Sequence, residues 1–415
     1  MRETSTFEGW QESRSKSIQK QQVRYTSAAA QKVTEILSFA GIGVNGSEPW
    51  DIQVHDERFF DRALGEGSIG VGESYMDGWW DVQALDEFFT RFRRADLASY
   101  VHDLKTALLV LKTRVLNLQT MQRAKEVAQA HYDLGNELYQ AMLDRRMQYT
   151  CAYWKDAATL DQAQENKLHL ICRKLQLKPG MTLLELGGGF GGLAHFAAKE
   201  YCCQVVSYNI SREQVAFGRE LCKGLPVRFE QKDYREAAGE TSQFDRVASI
   251  GLCEHIGYKN YRQFMQLAHG RLKDQGLFLL HTIGGNESYS YTDPWIHKYI
   301  FPNGLVPSMV QLTTAWEGVW VAEDWHNFGP DYDLTCMQWW KNFDRAWPEL
   351  RASYSAKDAA SSTRSVVGDP IYSDRFYRMW KYYLMASAGS FRARRLQLWQ
   401  IVLSKGDIPS YTPVR

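Results

Sequence analysis

Between Leu183 and Ala194 an apolar run containing Glu185 enters Gly187-Gly188-Gly189-Phe190-Gly191-Gly192 and then opens into a helix-like pattern. Five glycines in six residues cannot sit inside a strand or helix, because glycine loses more conformational freedom on ordering than any other residue. A strand that ends in such a turn and leads into a helix begins a βαβ unit. The missing side chains let backbone approach a ligand, and the following helix offers its first amides to a polar or anionic group. A tight structural turn that binds nothing is the bland alternative.

The turn belongs to a strand–helix rhythm. Apolar runs at 181–186, 204–210, 244–250 and 276–283 are spaced as parallel strands with helices between them. Near-continuous apolar runs suit strands buried on both faces of a doubly wound sheet. Residues 318–328 and 396–404 are expected to close that sheet as late strands. The predicted class is α/β with a Rossmann-like nucleotide-binding fold. Such a turn serves dinucleotides and S-adenosylmethionine alike, but two details favour the latter. Glu185 stands two positions before the first glycine, where such methyltransferases commonly carry an acid. Neither Tyr208 nor Asn209, at the end of the next strand, is an acid that would take a ribose 2′-hydroxyl of NAD. Asp233 is a candidate neighbour of the adenine.

Ligands of open α/β sheets bind outside the carboxyl ends of the strands. Glu254 and His255 follow the run at 244–250, His281 ends the next, and Asn209 and Ser211 end another, with Gln214 a turn further on. Each has a plainer use: His255 as a cap, His281 as a satisfied core imidazole, Cys151 as a buried thiol. The cysteines and histidines lack the close paired spacing of a zinc knuckle. No G-x-S-x-G elbow is present for a serine hydrolase.

The 415 residues suffice for two domains. Forty-nine basic against 48 acidic residues remove any argument for a nucleic-acid or membrane partner from overall charge. Seven cysteines without a CxxC pair fit a reduced, intracellular protein. Residues 1–24 are polar, lack an apolar signal core and read as a flexible leader. Residues 25–125 form a first region, aromatic around 75–92 and helix-patterned over 97–129, and Gly65 to Gly72 within it reads as a turn-laden connection. Residues 126–415 carry the strand–helix rhythm, and 357–369 reads as a long loop. No stretch approaches the roughly 18–20 apolar residues of a spanning helix, so a lipid substrate would be met from the cytosol, at the inner face of the membrane. Lys105, Lys112, Arg114, Arg123 and Lys125 are candidates for a face meeting anionic head groups, or for an ordinary solvated helix.

GEGSIGVGESYMDGWW at 65–80, HYDLGNELY at 131–139, MQYTCAYW at 147–154, Glu254-His255, LHTIG at 280–284, WIHKYIFP at 295–302, DWHNFGPDYD at 324–333 and FRARRLQLWQ at 391–400 together resemble the bacterial cyclopropane fatty acid synthases in their longer form, from about residue 40 to 405. The resemblance implies a methyltransferase that uses S-adenosylmethionine to build a cyclopropane ring on the double bond of an unsaturated phospholipid chain. It implies a carbocation deprotonated by bound bicarbonate, held at Cys151, Glu254, His281, Tyr332 and the backbone of Ile283. Tyr149, Thr150, Gly187, Gly189, Gly191, Asn209, Ile210, Gln214, Asp233 and Tyr234 match positions lining the S-adenosylmethionine pocket. The N-terminal region is implied to bind lipid, with peripheral contact to the bilayer and a homodimeric, cytoplasmic protein. Where the family usually has cysteine, tryptophan and phenylalanine, this chain has Gly188, Phe190 and Cys253, and the tail beyond Ser353 is longer. A simple methyl branch, a small-molecule N-methyltransferase and a catalytically dead lipid-binding protein are the competing functions. Glu254 and His281, both present, argue against the last.

Overall fold

The computed structural model describes residues 25–97, 136–357 and 371–415. The first part holds α1 (Ala28–Ser38), β1 (Gln53–Val54), α2 (Arg58–Met76), β2 (Trp80–Asp81) and α3 (Leu85–Arg94). Then come α4 (Asn136–Met142), α5 (Leu160–Lys174), β3 (Thr182–Leu186), α6 (Gly192–Tyr201), β4 (Gln204–Asn209), α7 (Arg212–Leu221), β5 (Val227–Gln231) and β6 (Phe244–Ile250). The remainder is α8 (Cys253–Ile256), α9 (Tyr261–Arg271), β7 (Leu272–Gly285), α10 (Pro294–Tyr299), α11 (Met309–Trp316), β8 (Val321–Asn327), α12 (Pro330–Lys357), α13 (Asp374–Arg392) and β9 (Leu396–Ser404).

Seven strands form one sheet in the order β5-β4-β3-β6-β7-β9-β8. The first five are mutually parallel, and β9 runs antiparallel between β7 and β8. β3 lies between β4 and β6, so the chain reverses its winding there and opens a crevice at the carboxyl ends. The fold is the predicted Rossmann-like α/β class, and each predicted strand is present. β5 was not among the apolar runs. It is the edge strand, and Arg228 and Glu230 alternate with Val227 and Phe229 along it. Helix starts follow local chemistry: Thr159, Ser211 and Ser373 accept backbone amides at the starts of α5, α7 and α13.

The glycine-rich stretch at 65–72 is not a connection but the middle of α2, kinked at Gly67 (φ 58°, ψ −133°). Glycine there permits close approach. A Cβ on Gly70 would collide with the Arg62 carbonyl, and one on Gly72 with the Trp295 ring. Ridge-free helix faces of this kind pack by proximity, which composition alone does not reveal.

The N-terminal helices share a core with the rest of the chain. Phe59, Phe60, Trp80, Phe88 and Phe89 belong to the same buried cluster as Trp295, Trp339, Trp380 and Tyr382. Tyr382 of α13 meets both Tyr75 (5.6 Å) and Phe89 (5.0 Å, edge-on). Glu73 accepts from Lys298 Nζ at 2.6 Å and from the Tyr299 hydroxyl at 2.8 Å, and it pairs with Arg62. Arg392 bridges Asp86 (2.7 Å) and Asp333 (2.9 Å). All seven cysteines are free thiols, six of them buried. Among the described residues no helix is long and apolar enough to cross a membrane. The leader at 1–24, the helical pattern beyond 97 with its five basic residues, and the loop at 358–369 lie outside the described residues.

Candidate active site

The glycine turn is shaped by its neighbours. Gly187 (φ 84°) and Gly191 (φ 88°) take left-handed backbone that disfavours a side chain. The amides of Gly187 and Gly188 both donate to the Tyr208 carbonyl at 3.0 Å. A Cβ on Gly188 would land on Ser207 Oγ, which donates to Glu185 Oε2 at 2.9 Å. The serine hydroxyl thus occupies the space a larger residue at 188 would need. Phe190 keeps an aromatic there, edge-on to Phe217 at 5.5 Å.

Behind the turn Glu185 is fully buried; burial pushes its carboxyl up to about 7, opposed by the Ser207 bond and the charge of Lys167. Asn209 Nδ2 donates to the Gly189 carbonyl and to Gln214 Oε1, both at 2.9 Å, while Oδ1 accepts from the Ser211 amide. Asn209 and Gln214 therefore lock the turn to the start of α7, with Ile210 between them. Asp233 is buried, caps the 3₁₀ turn Tyr234–Gly239 and is gripped by Arg235 at 2.6 and 2.7 Å. The Tyr234 hydroxyl beside it is buried without a partner among the described residues.

Across the strand ends lies one elongated, mainly apolar cavity of about 660 Å³. Tyr149, Thr150, Glu254, His281, Ile283 and Tyr332 all line it, and so do Ile36, Phe59 and Phe89 from the N-terminal helices. Glu254 Oε1 accepts from the Ile283 amide at 2.7 Å, while Oε2 is buried with no partner among the described residues. Enclosure pushes this carboxyl up to about 7. His281 Nδ1 faces Gln400 Nε2 at 3.3 Å, and its Nε2 is likewise buried and unpartnered. Burial drives the imidazole pKa well down, so the ring is neutral. Were the Gln400 amide to donate to Nδ1, the ring proton would sit on Nε2, as a donor not used by Gln400. Tyr332, from α12, stacks on Phe391 at 4.5 Å. Cys151 is not on the cavity wall. Its Sγ lies 3.2 Å from the Ala152 carbonyl, and burial keeps the thiol protonated. His255 does line the cavity, edge-on to Phe301 at 5.7 Å.

Sequence reasoning missed Lys167. Its ammonium is fully buried and donates to Gln148 Oε1 at 2.6 Å and Thr150 Oγ1 at 2.9 Å. Burial pulls its pKa down to about 8, opposed by Asp144, Cys151 and Glu185. It ties the 148–151 segment to α5 beneath both halves of the site. A lysine in an amphipathic helix reads as solvated surface, so pattern gives no signal for this one. Gln400 was missed because a glutamine inside an apolar strand announces itself only through the partner that β9 brings to it.

Residues 119–401 match the mycolic acid cyclopropane synthetase family. The chain belongs to this family. It is 50% identical over 373 residues to the cyclopropane-fatty-acyl-phospholipid synthase of Escherichia coli K12, covering 90% of this chain and 92% of that one. A probable fatty acid methyltransferase of Mycobacterium tuberculosis is 34% identical over 299 residues, covering 70% of this chain and 65% of that protein. The solved mycolic acid cyclopropane synthase CmaA1, complexed with SAH and CTAB, superposes with a TM-score of 0.57 at 29% identity over 68% of this chain and 98% of that one.

Proposed function

We infer that this chain transfers a methylene group from S-adenosylmethionine to the double bond of an unsaturated phospholipid acyl chain, closing a cyclopropane ring. The observation that carries the reading is the apolar cavity that ends at Glu254 and His281, beside the glycine turn, in a chain of this family. When bound, S-adenosylmethionine supplies a methyl on a sulfonium and bicarbonate supplies a small proton acceptor. The residues present fit both. Gly189 is the glycine of the turn whose Cβ would meet only open space, so its backbone can face a nucleoside, and Asn209, which donates to the Gly189 carbonyl and to Gln214, fixes the turn there. Glu254 Oε2 and His281 Nε2 are orphaned polar atoms, which a bound oxyanion would satisfy with the protonated carboxyl and imidazole N–H as donors. An unactivated alkene is a weak nucleophile, and the chain carbon left cationic must be kept from water. Tyr149, Phe301, Tyr332 and Tyr383 wall the cavity there, and ring faces stabilise positive charge by roughly 0.5–2 kcal/mol. Cys151 packs behind this wall and has no covalent part, since its thiol stays protonated.

A second reading of the base comes from Glu254 itself. A carboxyl held at about 7 with a free Oε2 is poised to take a proton near neutral pH. Two measurements test the reaction and its base. Lipids extracted from a host lacking this activity should gain the mass of one methylene per former double bond when the chain is expressed. A mass change with the double bond retained indicates a methyl branch, and no change sinks the proposal. Purified enzyme in carbonate-free buffer should lose turnover and regain it on adding bicarbonate. Undiminished turnover there assigns the base to Glu254.

A further inference from the structure

The cavity has a second end. Arg93, Asp96, Asn286, Tyr289 and Arg395 line it there, and Asp96, Asn286 and Tyr289 are exposed, so this end opens to solvent. The β7–β9 register runs from His281 opposite Gln400, through Ile283 opposite Leu398, to Gly285 opposite Leu396. Asn286 and Arg395 thus stand five residues beyond the His281–Gln400 pair, roughly 16 Å along the strands. An extended half of an acyl chain with its glycerol covers a span of that order.

Arg93 carries the argument. Its guanidinium has no ion-pair partner among the described residues, and its Nε is buried without a hydrogen bond. The nearby acids are engaged elsewhere. Asp293 caps α10 through the Trp295 and Ile296 amides, Glu287 accepts the Tyr289 hydroxyl at 2.7 Å, and Asp96 lies 3.5 Å from Arg395 Nη2. Arg395 Nε donates to the Arg93 carbonyl at 3.0 Å, which keeps the two guanidinium groups on one rim. Burial pulls the Arg93 pKa down and the charge of Arg395 adds to this, while Asp293 and Asp96 oppose it. Such a group costs stability unless a ligand pairs with it.

We propose that Arg93 and Arg395 form a phosphodiester site at the mouth of the cavity, holding the head-group phosphate of a phospholipid whose acyl chain runs inward to Glu254 and His281. This rests on the reaction read above and extends it to how the substrate is anchored. Guanidinium forks match phosphate oxygens in geometry as well as charge. A free phosphate offers the same chemistry, but the surroundings favour a lipid. Tyr289, Met309 and Val310 are 50%, 51% and 68% exposed beside this rim. Gln311 Nε2 donates to the Tyr289 carbonyl at 2.9 Å, and the Ser288 and Ser308 hydroxyls meet at 2.6 Å, so the start of α11, which carries Met309 and Val310, is tied to the 288–289 segment. Apolar side chains next to a cationic rim suit a bilayer surface.

The test measures binding of the full chain to non-ionic detergent micelles carrying either dioleoylphosphatidylglycerol or dioleoylglycerol. Arg93→Gln should weaken phospholipid binding about tenfold and leave diacylglycerol within about twofold, with Arg93→Lys recovering part of the loss. Equal weakening for both lipids, or none for either, overturns the proposal. Millimolar inorganic phosphate should compete with phospholipid in the wild type and lose that effect in Arg93→Gln. If phosphate binding depends on Arg93 but phospholipid binding does not, the site serves a free anion and the head-group assignment is wrong. The melting temperature of Arg93→Gln should be unchanged or higher, whereas a fall of several degrees with unaltered lipid discrimination marks a structural cation and overturns the proposal. Turnover is scored separately. Arg93-dependent phospholipid binding without methylene transfer by the wild type would remove the proposed reaction and leave the phosphate site standing.

Discussion

The two walls of the site differ in how they are assembled. On the β3–β5 side the wall comes from short consecutive stretches, 185–192 and 207–214, joined by backbone and local side-chain hydrogen bonds. On the acyl side the wall is gathered from α1, α2, α3, the end of β7, α12 and α13, held by ring-on-ring contact and long-range ion pairs. The first wall is written in short local stretches of the chain. The second exists only while helices distant in sequence stay packed. Cofactor binding and lipid handling are therefore expected to respond to different kinds of damage.

The largest effect is expected from deleting residues 1–125. Because Phe59, Trp80, Phe88 and Phe89 share a core with Trp380 and Tyr382, their loss should abolish a cooperative melting transition. A fragment that still melts cooperatively and is stabilised by S-adenosylmethionine would show that the first wall folds without the second. Next in size, Glu254→Gln should lower turnover by about 10²–10⁴-fold while calorimetry finds S-adenosylmethionine affinity within about twofold. Equal losses in affinity and rate would merge the two walls into one.

Two glycines sharpen the contrast at smaller scale. A Cβ on Gly389 of α13 would stand 2.6 Å from Phe89 Cβ and 2.8 Å from the Asp86 carbonyl. Gly389→Ala should cost about 1–3 kcal/mol in denaturant melts and depress lipid turnover, with cofactor binding spared. Gly188→Ala should instead weaken cofactor binding, and adding Ser207→Ala should restore much of it, because the serine hydroxyl is what the new methyl meets. No restoration would mean that the turn needs glycine for its ligand and not for its neighbour.

The smallest effect concerns pH. Glu185 holds its proton to about 7 in the folded state, against about 4.5 for a free glutamate side chain. The folded chain then binds the extra proton between those values, so this group lowers stability as pH rises from about 4.5 through 7. Glu185→Gln should flatten the fall in melting temperature between pH 5 and 8 by a few degrees. Parallel curves for variant and wild type would mean that Glu185 ionises normally behind the turn. Lys167, shifted down to about 8, acts in the opposite sense at higher pH, where the unfolded chain holds the proton longer.

The sheet and its glycine turn are legible in the residues alone. Buried parallel strands need unbroken apolar runs, and a backbone that approaches a ligand needs glycine, so both are written in consecutive residues. The sequence also marked Glu254 and His281, because strand ends in this fold are where polar side chains meet ligands. How those residues are set depends on packing. α2 absorbs glycines that read as a turn, since the Trp295 ring and the Arg62 carbonyl come close to them. Lys167 is driven inside by Gln148 and Thr150, and Gln400 meets His281 across a strand pair 119 residues apart. The cavity wall and its arginine rim follow the same logic. A contact between side chains far apart in the chain has no period or motif, and only the packing that brings them together gives it a physical existence.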